Sequence, residues 1–121
     1  MKSLTEAVLH VALRGLSLRQ QIIADNVANA ETPGFKAREV RFEEQLRRAL
    51  GRSVAANALT ERVKPAIASP ADRVGRMDQN SVDVDQQLLA MTETGMRYQA
   101  VARALAERLA LYRTILNDGR G

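Results

Sequence analysis

The chain reads as an all-α fold built on two long terminal helices, with a short helix and an irregular arm between them. Three observations give that reading. Val84, Leu88, Met91, Gly95, Tyr98, Ala102, Leu105, Leu109, Tyr112 and Leu116 alternate spacings of four and three without a break. Leu4 to Asn29 is apolar or small nearly throughout, relieved by a narrow polar stripe at Glu6, His10, Arg14, Ser17, Gln21 and Asp25. The chain-breaking residues collect between those stretches, at Pro33-Gly34, Gly51, Pro65, Pro70 and Gly75. Both outer stretches carry the helical period, and the interval holds neither that period nor a sustained alternation. The organisation is therefore residues 1–34 for an N-terminal helix and its elbow, 35–80 for a short helix plus linker or arm, and 81–121 for a C-terminal helix.

In the first helix, a wheel of about 100° per residue gives an apolar arc near 200°. One helical partner covers about half of that, so neighbouring subunits are the expected source of further cover. Gly15 lies on the apolar side, where glycine costs about 1 kcal/mol relative to alanine. Either another helix approaches closely there or the glycine is a tolerated weak spot. Thr32-Pro33-Gly34 stops the helix, because proline lacks the N–H and pushes Thr32 out of the α region. Pro33 and Gly34 fit the central positions of a type II turn, and Phe35 and Lys36 leave it in extended form.

Arg41 to Leu50 reads as a short helix that docks Phe42 and Leu46 onto a larger body, closed by Gly51 at C′. Residues 52–80 read as an arm, with one short extended piece at Val63, Ala66 and Ile67. Nearly thirty irregular residues are uncommon inside a compact domain. Asp78-Gln79-Asn80-Ser81 is a turn and helix-start signal, with Ser81 or Asp83 as N-cap. The last helix, about Val82 to Leu116, would run roughly 50 Å. Its seam has Leu88, Gly95, Ala102, Leu109 and Leu116 at one core position of a heptad, and Val84, Met91, Tyr98, Leu105 and Tyr112 at the other. So long a helix suits a coiled coil with the first helix, continued by contacts between subunits.

Composition narrows the function. The 121 residues are 45% hydrophobic but only 3% aromatic, which favours helix–helix packing over a thick core. With one histidine and no cysteine, no metal set, disulfide or thiol chemistry can be assembled. Ser, Thr and Lys have no base or oxyanion architecture around them, and there is no phosphate loop. The expectation is no enzyme, no cofactor and no small-molecule substrate. The net charge of +4 permits nucleic-acid contact. The basic residues do not line one helix face, however, so nucleic acid is not expected as a partner. The N-terminus is a poor signal peptide, because Glu6 and His10 interrupt its apolar pattern; any export would use a route without a cleaved leader.

The run VANAETPGFKAR resembles the signature of the bacterial flagellar axial family, which builds rod and hook. In that signature Asn-x-x-Asn-Ala is followed by Thr-Pro-Gly-aromatic-Lys. The likeness extends over nearly the whole chain and is strongest to proximal-rod members, with NSVDVDQQLLAMTETGMRYQ as a looser second motif. The family often has glycine where this chain has Gln79, a carboxylate where it has Gln87, and tyrosine where it has Phe35. The resemblance implies a rod subunit of the flagellar basal body, exported by the flagellar type III apparatus, in a rod that spans the periplasm and transmits motor torque. It implies terminal helices packed as an antiparallel pair. It implies as partners other copies of the chain, other rod proteins, and the adaptor and membrane-ring components at the rod base. On that reading Asn26, Asn29, Thr32, Pro33, Gly34 and Phe35 set the angle of an arm that reaches a neighbour. Two other classes stay open: a soluble coiled-coil adaptor or chaperone, and a basic nucleic-acid-binding helical protein.

Overall fold

The computed structural model describes residues 3–70 and 77–118. The chain-breaking residue Gly75 lies outside the described residues. Helix α1 runs Leu4–Ala28. Ser3 caps its start, with Oγ accepting from the Glu6 N–H at 3.2 Å, which satisfies one of the open donors of the first turn. Strand β1 (Glu39–Arg41), helix α2 (Glu43–Gly51), helix α3 (Ala56–Arg62), strand β2 (Ala66–Ala68) and helix α4 (Val84–Asp118) follow.

The two long helices pack against each other in antiparallel fashion. Gln20 Nε2 donates to the Met91 carbonyl at 3.1 Å, and Asn26 meets Gln87 further along. At about 1.5 Å per residue, α1 is roughly 37 Å long and α4 roughly 52 Å. The surplus lies at the C-terminal end of α4, where residues 109–118 are all exposed.

The middle of the chain is more ordered than its sequence suggests. β1 and β2 pair antiparallel, with Val40 opposite Ile67. Ala66 and Ile67 of the expected extended piece lie in β2, whereas Val63 ends α3, an element that the sequence reading placed in an irregular arm. Leu59 and Val63 are fully buried. They join Ala7, Val11, Leu16, Ile22, Val40, Phe42 and Ala49 in one core. This corrects the view of α1 as a helix waiting for neighbours. Its wide apolar arc is covered by α4 on one side and by β1, Phe42 and α3 on the other. The arm folds back because α3 buries Leu59 and Val63 in the core on α1, and β2 pairs with β1.

Two local details also differ. Gly51 is the last residue of α2 rather than its C′. The left-handed residue is Ser53, at φ 55°. The Val54 N–H reaches the Ala49 carbonyl and the Ser53 N–H reaches that of Leu50, the pair of bonds that defines a Schellman ending. Gly15 faces no helix. A Cβ built there would lie 2.4 Å from Cδ1 of Phe42. The close approach is by the Phe42 ring, which is 3% exposed and has the Arg19 guanidinium 5.0 Å from its centroid.

Candidate functional site

The elbow begins where α1 runs out of carbonyl partners. The Asn29 N–H turns back to Asp25 O and Asn26 O, and its side-chain amide caps the Asp25 carbonyl at 2.9 Å. Asn29 Oδ1 accepts from Thr32 Oγ1 at 3.1 Å. The Phe35 N–H bonds the Thr32 carbonyl at 3.2 Å, and Gly34 sits at φ 77°. That combination is a type II turn with glycine at the position that needs positive φ. Thr32, Pro33 and Gly34 are exposed at its tip. Phe35 is half-buried and packs on Ala30, Ala37 and Val82.

Residues 78–82 close the elbow from the other side. Gly34 N–H donates to Asp78 O at 2.8 Å, and Ser81 N–H donates to Phe35 O at 3.0 Å. Ser81 Oγ accepts from the Ala37 N–H at 2.7 Å, so Ser81 serves the elbow, whereas Asp83 caps α4 by accepting from Gln86 N–H at 3.2 Å. Lys36 Nζ bonds the Gln79 carbonyl. Asn80, 1% exposed, is the centre. Its Nδ2 donates to the carbonyls of Asn29 and Thr32, and its Oδ1 accepts from the Val82 N–H. Gln79 beside it is held at φ 62°. The place where this chain departs from the family's glycine is therefore a left-handed position.

Asn26 does for β1 what Asn80 does for the turn. It is fully buried. Oδ1 accepts from Arg38 N–H at 3.0 Å, and Nδ2 donates to Arg38 O at 2.8 Å and to Gln87 Oε1 at 2.9 Å. Both backbone groups of Arg38 are thus satisfied by one amide, which fixes the direction in which the chain leaves α1. The Arg38 guanidinium pairs with Asp25. A cavity of about 330 Å³ lies between α1, β1 and α4, bordered by Arg19, Arg38 and Gln87. Both guanidiniums have carboxylate partners, Asp25 and Glu43. Among the described residues no group of His, Asp or Glu side chains could hold a metal ion.

The expected seam on α4 divides. Gln87, Thr94 and Leu105 are the buried residues of the helix, with Met91 and Val101 half-buried between them. The face on α1 is therefore the Met91, Tyr98, Leu105 column together with the column through Gln87, Thr94 and Val101. The other expected column turns outward. Leu88 is 48% exposed and Leu109 45%, with Gly95 and Ala102 half-buried between them. Val84, Tyr98, Tyr112 and Leu116 are exposed too. Sequence reasoning did not single out Asn80 or Gln87 as site residues. The Asp-Gln-Asn-Ser run announces a turn but not its partner, and a glutamine in a helix gives no sign of burial.

The model of the family described as "Flagella basal body rod protein" matches residues 9–36, which span most of α1 and the turn. Along nearly its whole length the chain is similar to proteins described as flagellar basal body rod protein FlgB. It is 31% identical to that of Proteus mirabilis, over 94% of this chain and 96% of the relative. It is 34% identical to that of Borrelia hermsii, over 74% and 78%, and 26% identical to that of Bacillus subtilis, over 93% and 92%. The chain belongs to the FlgB family of flagellar basal body rod proteins, and is a structural subunit of that rod rather than an enzyme.

Proposed function

We propose that the chain works in the proximal rod, as a tube-forming unit that holds its neighbours through the outer face and the overhang of α4. The observation that carries this is the apolar overhang. Leu109, Leu111, Tyr112, Ile115 and Leu116 are each 36% exposed or more, on a stretch of α4 beyond the start of α1. Neighbours that cover them gain roughly 1.5–3 kcal/mol for each large side chain fully buried. Many such contacts in a closed tube give the stiffness that transmits torque. The neighbours in this reading are other copies of the chain, other rod proteins, and the adaptor and membrane-ring components at the rod base. The chain reaches the periplasm-spanning rod through the flagellar type III export apparatus. The elbow residues Asn26, Asn29, Thr32, Pro33, Gly34 and Phe35 fix how the middle segment is aimed at a neighbour.

The test is the double variant Leu109→Asp, Leu116→Asp. Both positions are exposed in the subunit, so its helix content and cellular level should match wild type while rods fail to form and cells do not swim. Full motility would remove the overhang from the mechanism.

A further inference from the structure

We infer that successive copies of this chain join front to back through α4: the groove between α1 and α4 of one copy receives the rear stripe of α4 of the next. This rests on the rod-subunit reading and names a contact within it.

Gly95 is the first support. Glycine weakens a helix interior relative to alanine, and Gly15 illustrates what justifies one inside this chain, since the Phe42 ring fills its space. Gly95 has no such internal reason. A Cβ there would stand 3.4 Å from the flexible end of Gln20, an ordinary contact, and its φ is not positive. It lies instead on a groove of about 270 Å³ lined by Ser17, Gln20, Gly95, Tyr98 and Gln99. The second support is Gln20. Its Nε2 is taken by the Met91 carbonyl, but its Oε1 is buried without a hydrogen-bond partner. A buried acceptor without a donor is unfavourable, and a partner that brings a donor removes the cost.

The occupant follows from what α4 carries on its far side. Leu89, Glu93, Met96, Arg103, Glu107 and Leu111 follow helical spacing on the face turned away from α1. Leu89 is 61% exposed, Met96 67% and Leu111 57%. Two charge pairs are complementary. Exposed Arg14 stands beside the groove and exposed Arg113 lies further along the same face of α4, on the overhang, while the rear stripe carries exposed Glu93 and Glu107 with Arg103 between them. Because α1 is antiparallel, Arg14 lies about level with Tyr98 and Gln99. A parallel copy displaced by about six residues, roughly 9 Å, sets Glu93 near Arg14 and Glu107 near Arg113 together. The same displacement brings Leu89 over Gly95 and Met96 over Ala102, and carries the amide donor of exposed Gln86 to the level of Gln20. Groove and stripe are different surfaces, so every copy keeps one of each free. Such a contact propagates along a ring or helix instead of closing as a dimer.

The chain has no cysteine, so introduced thiols are unique. The variant Met96→Cys, Ala102→Cys is oxidised in basal bodies isolated from swimming cells. Within one chain the two positions are six residues apart on different faces, beyond the roughly 7 Å Cα separation that a disulfide allows. The expected result is a ladder of dimers, trimers and longer species, absent from both single variants. Dimers from either single variant would mean a face-to-face contact and overturn the inference. So would a subunit present in basal bodies but joined only to other proteins, or to nothing. As a second measurement, Gly95→Leu fills the notch. It should leave the helix content of the purified chain unchanged and reduce its incorporation into basal bodies to background; full incorporation would equally overturn the contact. Absence of the wild-type chain from basal bodies would instead refute the rod reading itself.

Discussion

Gly15→Ala puts one methyl group against the Phe42 ring, and its sign can be worked out. On an open helix face the change would stabilise by about 1 kcal/mol, since alanine is the better helix former. Here the new Cβ would lie 2.4, 2.5 and 2.7 Å from three ring atoms. None of those distances is tolerable, so the ring must move. Phe42 cannot swing into solvent freely, being 3% exposed among α1, β1 and α3. Overpacking of this kind costs about 1–3 kcal/mol. The displaced ring also loses the Arg19 guanidinium, an interaction worth about 0.5–1 kcal/mol or more. Arg19 cannot follow, because its Nη2 bonds the Val40 carbonyl at 2.7 Å and Glu43. The net expectation is a loss of about 1–2 kcal/mol in urea unfolding of the purified chain, followed by circular dichroism. The decisive arm is the same change in a Phe42→Leu background. With the ring gone, Gly15→Ala should become neutral or stabilising. A glycine replaced without loss in the wild-type background, or the same loss in both backgrounds, would show that the ring does not explain Gly15.

The elbow supplies three further expectations. Gln79→Gly should stabilise by about 0.5–1 kcal/mol in the same unfolding assay, because φ 62° is unfavourable for a side chain and the Lys36 contact uses only the backbone carbonyl. Asn80→Ala should destabilise by about 2–4 kcal/mol, since it strips three hydrogen bonds from a residue 1% exposed and leaves the Val82 N–H buried without its partner; a variant that unfolds like wild type would contradict the latch. Gly34→Val meets open space but is forced to φ 77°. It should redirect the turn at a cost of about 1–2 kcal/mol, leaving export intact while rod assembly, scored by motility in soft agar, is lost.

The long helices were legible because twenty or more residues of one period average out local exceptions. The turn was legible because Pro33-Gly34 has few conformational choices. The middle was not, for a physical reason. Ala56–Arg62 and Ala66–Ala68 are too short for periodicity to separate them from coil, and their order comes from burial of Leu59 and Val63 on α1, a long-range fact. The seam on α4 misled differently. Spacings of four and three mark two adjacent columns of a helix, and both were read as core positions of one seam. The chain instead turns Gln87 and Thr94 toward α1, where the Gln87 amide meets Asn26 and the short Thr94 lets the helices approach, and leaves Leu88 and Leu109 outside.

That inversion bears on how the subunit divides its work. Asn26, Asn29 and Asn80 direct their amides to groups of their own chain, so the elbow is a finished joint before any neighbour arrives. What it can present outward is its tip, Thr32-Pro33-Gly34, and the extended segment it aims. α4 is built the other way. Its polar residues Gln87 and Thr94 face inward, while leucine, methionine and tyrosine side chains remain uncovered along its outer side and overhang. A protein that had only to remain a stable monomer would gain from exchanging those preferences, since exposed apolar patches promote association. In a rod subunit the arrangement is coherent. Orientation is fixed within the chain by directional hydrogen bonds, and on the proposed reading cohesion between chains falls to apolar contacts that tolerate small slips under load.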